Sequence, residues 1–145
     1  MPSLGIFGRR KKTEETERTQ RTLLEELCKD DKGLYEVLNR TLLLNPDQSM
    51  AEGIQFNIDK AQEYEKNKDA TKARIAYQAA GEISLYEGKV VQAQKFFKKA
   101  AEADPGYAHR SIFEFYNKKD NAERALAVAQ EYYAKTKKVT AKKEK

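Results

Sequence analysis

One cysteine and one histidine among 145 residues leave no material for a disulfide framework, a Cys₂ or Cys₄ metal site, or a His₂ zinc site. Any Ser/His chemistry would rest on His109 alone. The seven glycines form neither a P-loop nor a GxGxxG turn, so no cradle for a phosphate is written here. No apolar run approaches the roughly 20 residues that span a bilayer, and the first residues lack the apolar h-region of a secretory signal. Tryptophan is absent, and the apolar share of 39% is low beside a charged share of 35%. What is present is 18 alanines, eight tyrosines and six phenylalanines. Small residues and rings favour closely packed helices over a β-sandwich. The length suits one domain with tails.

The net charge of +5 hides a strong asymmetry. Arg9, Arg10, Lys11 and Lys12 put +4 on the first twelve residues, and residues 135–145 carry +5. Residues 13–134 are left with −4. A mildly acidic body therefore lies between two basic ends. The stretch KTKKVTAKKEK has too little apolar content to offset the entropy of ordering, so 135–145 is expected to be disordered. Its lysines Lys135, Lys137, Lys138, Lys142 and Lys143, with the N-terminal cluster, form candidate arms toward a polyanion, nucleic acid or anionic lipid. The plain alternative is that they keep the chain soluble. Before the N-terminal cluster, Leu4, Ile6 and Phe7 stand beside Gly5 and Gly8. Residues 1–12 thus read as an attachment segment for an anionic membrane surface or a groove on a partner. Pro2 removes the myristoylation pattern.

Between the ends, apolar spacing predicts consecutive helices: Thr13–Lys29, Leu34–Leu43, a third reaching Asn67, Ala70–Glu87, Lys89–Ala103, Tyr107–Asn117 and Ala122–Ala134. Ser49-x-x-Glu52 reads as a capping box for the third. Asn45-Pro46-Asp47 and Asp104-Pro105-Gly106 are turns, and Gly88 stands where a left-handed backbone would stop helix four. That helix is apolar nearly all round and is expected at the centre. No stretch alternates with the period of a strand. The fold class is all-α, about seven helices, organised as a pair at 13–47 and a repeat region at 48–134.

Residues 77–105 read Tyr77-x-x-Ala80-Gly81, then Gly88, Ala93, Phe97, Ala100 and Pro105. Small residues at 80, 81 and 93 let two helices approach, Tyr77 and Phe97 fill the space beside them, and Pro105 ends the unit. A second, overlapping series runs Ala61, Tyr64, Lys68, Ala73, Tyr77 and Ala80. Asp120, Ala125, Ala129 and Tyr132 suggest a further second helix. The pattern resembles a tetratricopeptide repeat (TPR), best formed over 72–105, with the likeness covering about 48–134. That resemblance implies a right-handed stack of antiparallel helix pairs with a concave groove. It also implies a function of holding partners together, as an adaptor or scaffold without enzymatic activity. Groove-lining positions would then be Arg74, Gln78, Ser84 and Leu85 on helix four, with Ser111, Glu114 and Lys118 on helix six. The carboxylate-clamping Lys/Asn/Lys/Arg set of one subgroup finds no place here.

The remaining chemistry-bearing residues read plainly. Cys28 beside Leu24 and Leu27 is a buried, inert thiol, and His109 is a surface histidine. Glu14, Glu15, Glu17, Glu25 and Glu26 are solvated helix faces. Tyr107, Phe113, Phe115, Tyr116, Tyr132 and Tyr133 cluster with Arg110, Lys118 and Lys119. They read first as the closing core of the stack, and alternatively as a stacking surface for single-stranded RNA. The expectation is a cytoplasmic adaptor with a protein partner and no cofactor, metal or small-molecule substrate. An RNA- or ribosome-associated factor and a peripheral membrane factor acting through Leu4, Ile6 and Phe7 are the alternatives.

Overall fold

The computed structural model describes residues 22–42 and 46–144, and every regular element among them is helical. α1 is the helical stretch 22–27. α2 spans Lys32–Thr41, α3 Pro46–Lys66, α4 Ala70–Tyr86 and α5 Val90–Ala103. α6 is a single turn, Ser111–Glu114, that tightens into a 3₁₀ turn over Phe115–Asn117, and α7 runs over Lys119–Glu144. The all-α expectation and its seven helices hold among the described residues.

α4 is the centre, with α3 and α5 packed along it. Two three-residue turns join these helices in one geometry. Lys68 and Gly88 both take a left-handed backbone, at φ 58° and 78°. In each turn the following N–H reaches back to the helix just ended, Asp69 to the Tyr64 carbonyl at 2.9 Å and Lys89 to that of Ser84 at 2.8 Å. This is the helix stop that glycine favours. Only the second turn has its glycine. Asp69 then caps α4 by accepting from the Lys72 N–H at 3.2 Å.

The α4–α5 contact depends on small residues. Ala80 and Ala93 are fully buried, and a β-carbon on Gly81 would lie 2.8 Å from the Phe97 ring. Phe97 in turn stacks on Tyr116 at 4.0 Å between centroids and on Phe113 at 6.1 Å. Burying a ring of this size contributes about 2–3 kcal/mol. The rings of the last helices therefore close the core: Phe113, Tyr116 and Tyr132 are buried, while Tyr107, Phe115 and Tyr133 are half-buried.

Four expectations need correction. The third helix does not start from a cap at Ser49; it is two helical pieces broken at Gly53, whose backbone takes a positive φ that glycine favours, at φ 86°, ψ 170°. Ser49 lies inside the first piece. The sixth helix does not begin at Tyr107: residues 108–110 form a turn, with Tyr107 and Arg110 bonding backward in three-residue steps after Pro105-Gly106. The segment 135–145, expected to be disordered, continues α7 to Glu144. Lysine, alanine and glutamate propagate a helix cheaply once a packed first half has nucleated it, and no Gly or Pro intervenes after 119. The seventh helix also starts earlier, at Lys119. The expectations for residues 1–12, with Leu4, Ile6, Phe7, Arg9, Arg10, Lys11 and Lys12, and for 13–21 lie outside the described residues.

Candidate binding surface

α2 is amphipathic and lies against α6 and α7, burying Leu34, Val37, Leu38 and Thr41. Its start is fixed by Asp31, whose Oδ1 accepts from the Leu34 N–H at 3.0 Å. The other carboxylate oxygen of Asp31 pairs with Arg124 on α7. Its end is held by polar contacts. Thr41 Oγ1 donates to the Val37 carbonyl at 2.8 Å, so its 2.8 Å contact with Tyr116 is one in which the phenol donates. Gln78 on α4 donates to the Arg40 carbonyl at 3.0 Å and to Glu82 Oε1 at 3.3 Å. Glu82 and Tyr116 are fully buried. Burial holds the Tyr116 phenol far above its ordinary range, and the Glu82 charge pushes the same way. α2 therefore covers a face that is apolar along one edge and polar along the other.

Beside that face, a cleft of about 600 Å³ opens between α2 and α6. Tyr35, Val37, Ile112 and Phe115 supply its apolar lining; Glu36, Asn39, Arg40, His109 and Ser111 supply polar groups. Arg124 sits over the Phe115 ring, 5.8 Å from its centroid. A smaller cavity of about 160 Å³ lies between α5 and α6, with Lys98, Glu102, Arg110 and Glu114 around it. Both have the mixed apolar and polar lining that fits a side chain of a bound segment.

The groove positions expected from the sequence separate into two groups. Ser111 lines the larger cleft, Glu114 the smaller cavity, and Lys118 is exposed nearby. The α4 positions are engaged within the fold instead. Arg74 pairs with Asp104 at 3.1 Å and lies 3.7 Å over the Tyr107 ring, its side chain only 11% exposed. Gln78 is held by α2, Ser84 is buried on the Ala80 carbonyl at 2.8 Å, and Leu85 is buried. The helical period puts all four on one side, but it cannot see the segments that return to cover them.

Arg40, Tyr35 and Asn39 were not singled out in sequence. Tyr35 flanks the apolar stripe of Leu34 and Leu38, and Asn39 and Arg40 lie on the exposed side of α2, which gains meaning only once α6 is placed beside it. His109 is exposed at the cleft. Cys28 is buried, and desolvation with nearby Asp31 pushes its thiol up to about 11, consistent with an inert sulfur. Lys135 is exposed and pairs with Glu131 at 3.4 Å; Lys137, Lys138, Lys142 and Lys143 lie on the continuation of α7. No helix among the described residues is long and apolar enough to cross a membrane. No known family model, characterised protein or solved structure matches this chain.

Proposed function

We propose that this chain is a non-enzymatic adaptor: a TPR-like stack of helix pairs that binds a protein partner, with basic ends drawing it to a polyanionic surface. The observation carrying this reading is the shared geometry of the turns at Lys68 and Gly88, joining α3, α4 and α5. Repeated turns of one shape are how helix stacks are built from units that cannot close a core alone. The partner surface is the cleft between α2 and α6, where Ile112 and Phe115 offer an apolar floor and Arg40, His109 and Ser111 offer polar groups. The polyanion arms are Arg9 to Lys12 at one end and the lysines from Lys135 at the other. Such arms suit a place at the edge of a ribonucleoprotein or an anionic membrane.

The second reading, an RNA- or ribosome-associated factor, is favoured by the continuation of α7 through the lysine-bearing residues to Glu144. A helix sets cations at fixed spacing for phosphates. The burial of the ring cluster works against base stacking as its main contact.

Affinity co-purification tests the adaptor reading. The full chain, residues 13–136 and full-length Ser111→Tyr are compared, each with and without nuclease. A protein partner should remain with 13–136 after nuclease and be lost on Ser111→Tyr, with unchanged circular dichroism. Partners that vanish with nuclease or with the ends would move the function to the polyanion reading.

A further inference from the structure

We infer that the cleft between α2 and α6 takes a short acidic segment of a protein partner, in which an aspartate or glutamate stands within two residues of a large apolar side chain. This rests on the adaptor reading and names the chemistry its partner presents.

The floor of the cleft sets the apolar half of that pattern. Val37 is buried, and Tyr35, Ile112 and Phe115 are half-buried against the core. Phe115 is fixed edge-on to Tyr116, with 5.6 Å between centroids, and Arg124 lies over its ring. A floor of settled shape rewards a large apolar group without the cost of ordering it first. The cleft volume of about 600 Å³ is that of a pocket holding a drug-sized ligand, so a few residues of a chain fit.

The rim sets the sign of the charge. Asn39, Arg40, His109 and Ser111 are exposed, and their side chains make no hydrogen bond or ion pair among the described residues. Arg40 only donates, and the other three each carry a donor whatever their protonation. Glu36 is the one side chain of the lining that only accepts. It stands one turn before Arg40 on α2, the spacing that suits a helical ion pair, yet the two are not paired among the described residues.

Arg40 and His109 belong to the end of the cleft nearer α4. The Arg40 carbonyl accepts from Gln78 at 3.0 Å. His109 sits edge-on to Tyr107 at 5.7 Å, and Tyr107 covers Arg74 of α4. Arg74 is already matched by Asp104 at 3.1 Å, whereas the Arg40 guanidinium has no such partner. A carboxylate placed at this end receives charge-assisted hydrogen bonds from Arg40, while its apolar neighbour rests on Ile112 and Phe115. A lysine or arginine there would meet a like charge, which suppresses the wrong partner. A free inorganic anion would use the donors and leave the floor bare, so the occupant is a segment of chain.

Selection of a random ten-residue peptide display library on the immobilised full chain tests this. Enriched sequences should carry aspartate or glutamate within two residues of a large apolar residue. Synthetic peptides of that consensus, labelled for fluorescence anisotropy, should lose at least tenfold in affinity when their acids are changed to amides. The same loss is expected on full-length Arg40→Glu, which keeps the carbonyl used by Gln78, and on full-length Ser111→Tyr, which fills the cleft, each with unchanged circular dichroism. Enrichment of basic or uncharged sequences, no enrichment, or equal affinity for Arg40→Glu would overturn the inference. A partner lost on Ser111→Tyr but bound through a segment without acids would also overturn it, and would leave the adaptor reading standing. Acidic peptides held in the cleft with no protein partner co-purified would count against the adaptor reading alone.

Discussion

At Gly81 a β-carbon would meet three atoms of the Phe97 ring, all within 2.9 Å. That ring cannot retreat, since Tyr116 stacks on it at 4.0 Å. Gly81→Ala gains about 1 kcal/mol of helix propensity and loses roughly 2–3 kcal/mol to overpacking. The net expectation is a lower urea midpoint. A raised midpoint would mean that Phe97 has room the packing does not show. Lys68 and Gly88 give a paired test of the two turns. A side chain held in the left-handed region costs roughly 1–2 kcal/mol, less the greater freedom glycine brings to the unfolded chain. Lys68→Gly should therefore stabilise by roughly 1 kcal/mol, and Gly88→Ala should destabilise by at least as much. The same urea titration reads both. Equal and opposite shifts would establish the turns as equivalent. Gly81 and Gly88 were legible in sequence, because spacing alone asks for a small residue and a turn there. Lys68 was legible as part of the turn Asn67-Lys68-Asp69, but its backbone was not, since nothing about a lysine announces a positive φ.

Between elements, one junction joins the centre of the stack to its last third. Arg74 on α4 pairs with Asp104 beyond the end of α5 and lies flat over Tyr107 in the turn that follows. A hydrogen-bonded charge pair this enclosed, with a stacked ring, contributes about 2 kcal/mol. Arg74→Ala should lower stability by about that amount. Arg74→Lys should recover only part, because an ammonium keeps the charge and loses the planar stack. Thermal unfolding of the two variants separates the charge from the stack. Full rescue by lysine would leave the ring contact without weight. The helices themselves were readable from period and punctuation: α4 and α5 end within a residue or so of their expected bounds. α6 was not, because its aromatic residues have helical spacing while the backbone turns that close over Tyr107 follow from Pro105-Gly106. The length of α7 was misread for the opposite reason. Charge density suggested disorder, but a helix already packed through Ala122, Ala125, Ala129 and Tyr132 carries good formers onward.

For the molecule as a whole, sequence gave no means of placing α2. Its apolar stripe required some cover, yet the choice of face depends on contacts 75 residues apart, such as Thr41 with Tyr116. The candidate site moved with it, from the open side of α4 to the cleft beside α6. The same arrangement makes the interior unusually rich in phenols, and that has a measurable consequence in alkali. Tyr77 and Tyr132 are each pushed from an ordinary 10.0 up to about 12, chiefly by desolvation, with Glu65 adding to the shift at Tyr77. Tyr86 is raised well above its ordinary value by burial first and then by Glu82. A fold that favours the neutral phenol has that contribution intact below pH 10 and loses it as pH rises through the folded values. Helical circular dichroism and tyrosinate absorbance should therefore change together between pH 10 and about 12. Tyr86 isolates the cause, since its hydroxyl is enclosed without a hydrogen-bond partner among the described residues. Tyr86→Phe removes a polar atom that gains nothing from burial and an ionisation that the core resists. It should add about 1 kcal/mol at neutral pH and move the alkaline midpoint upward. An unmoved alkaline midpoint would mean that the core opens before Tyr86 ionises, and that other groups set the limit.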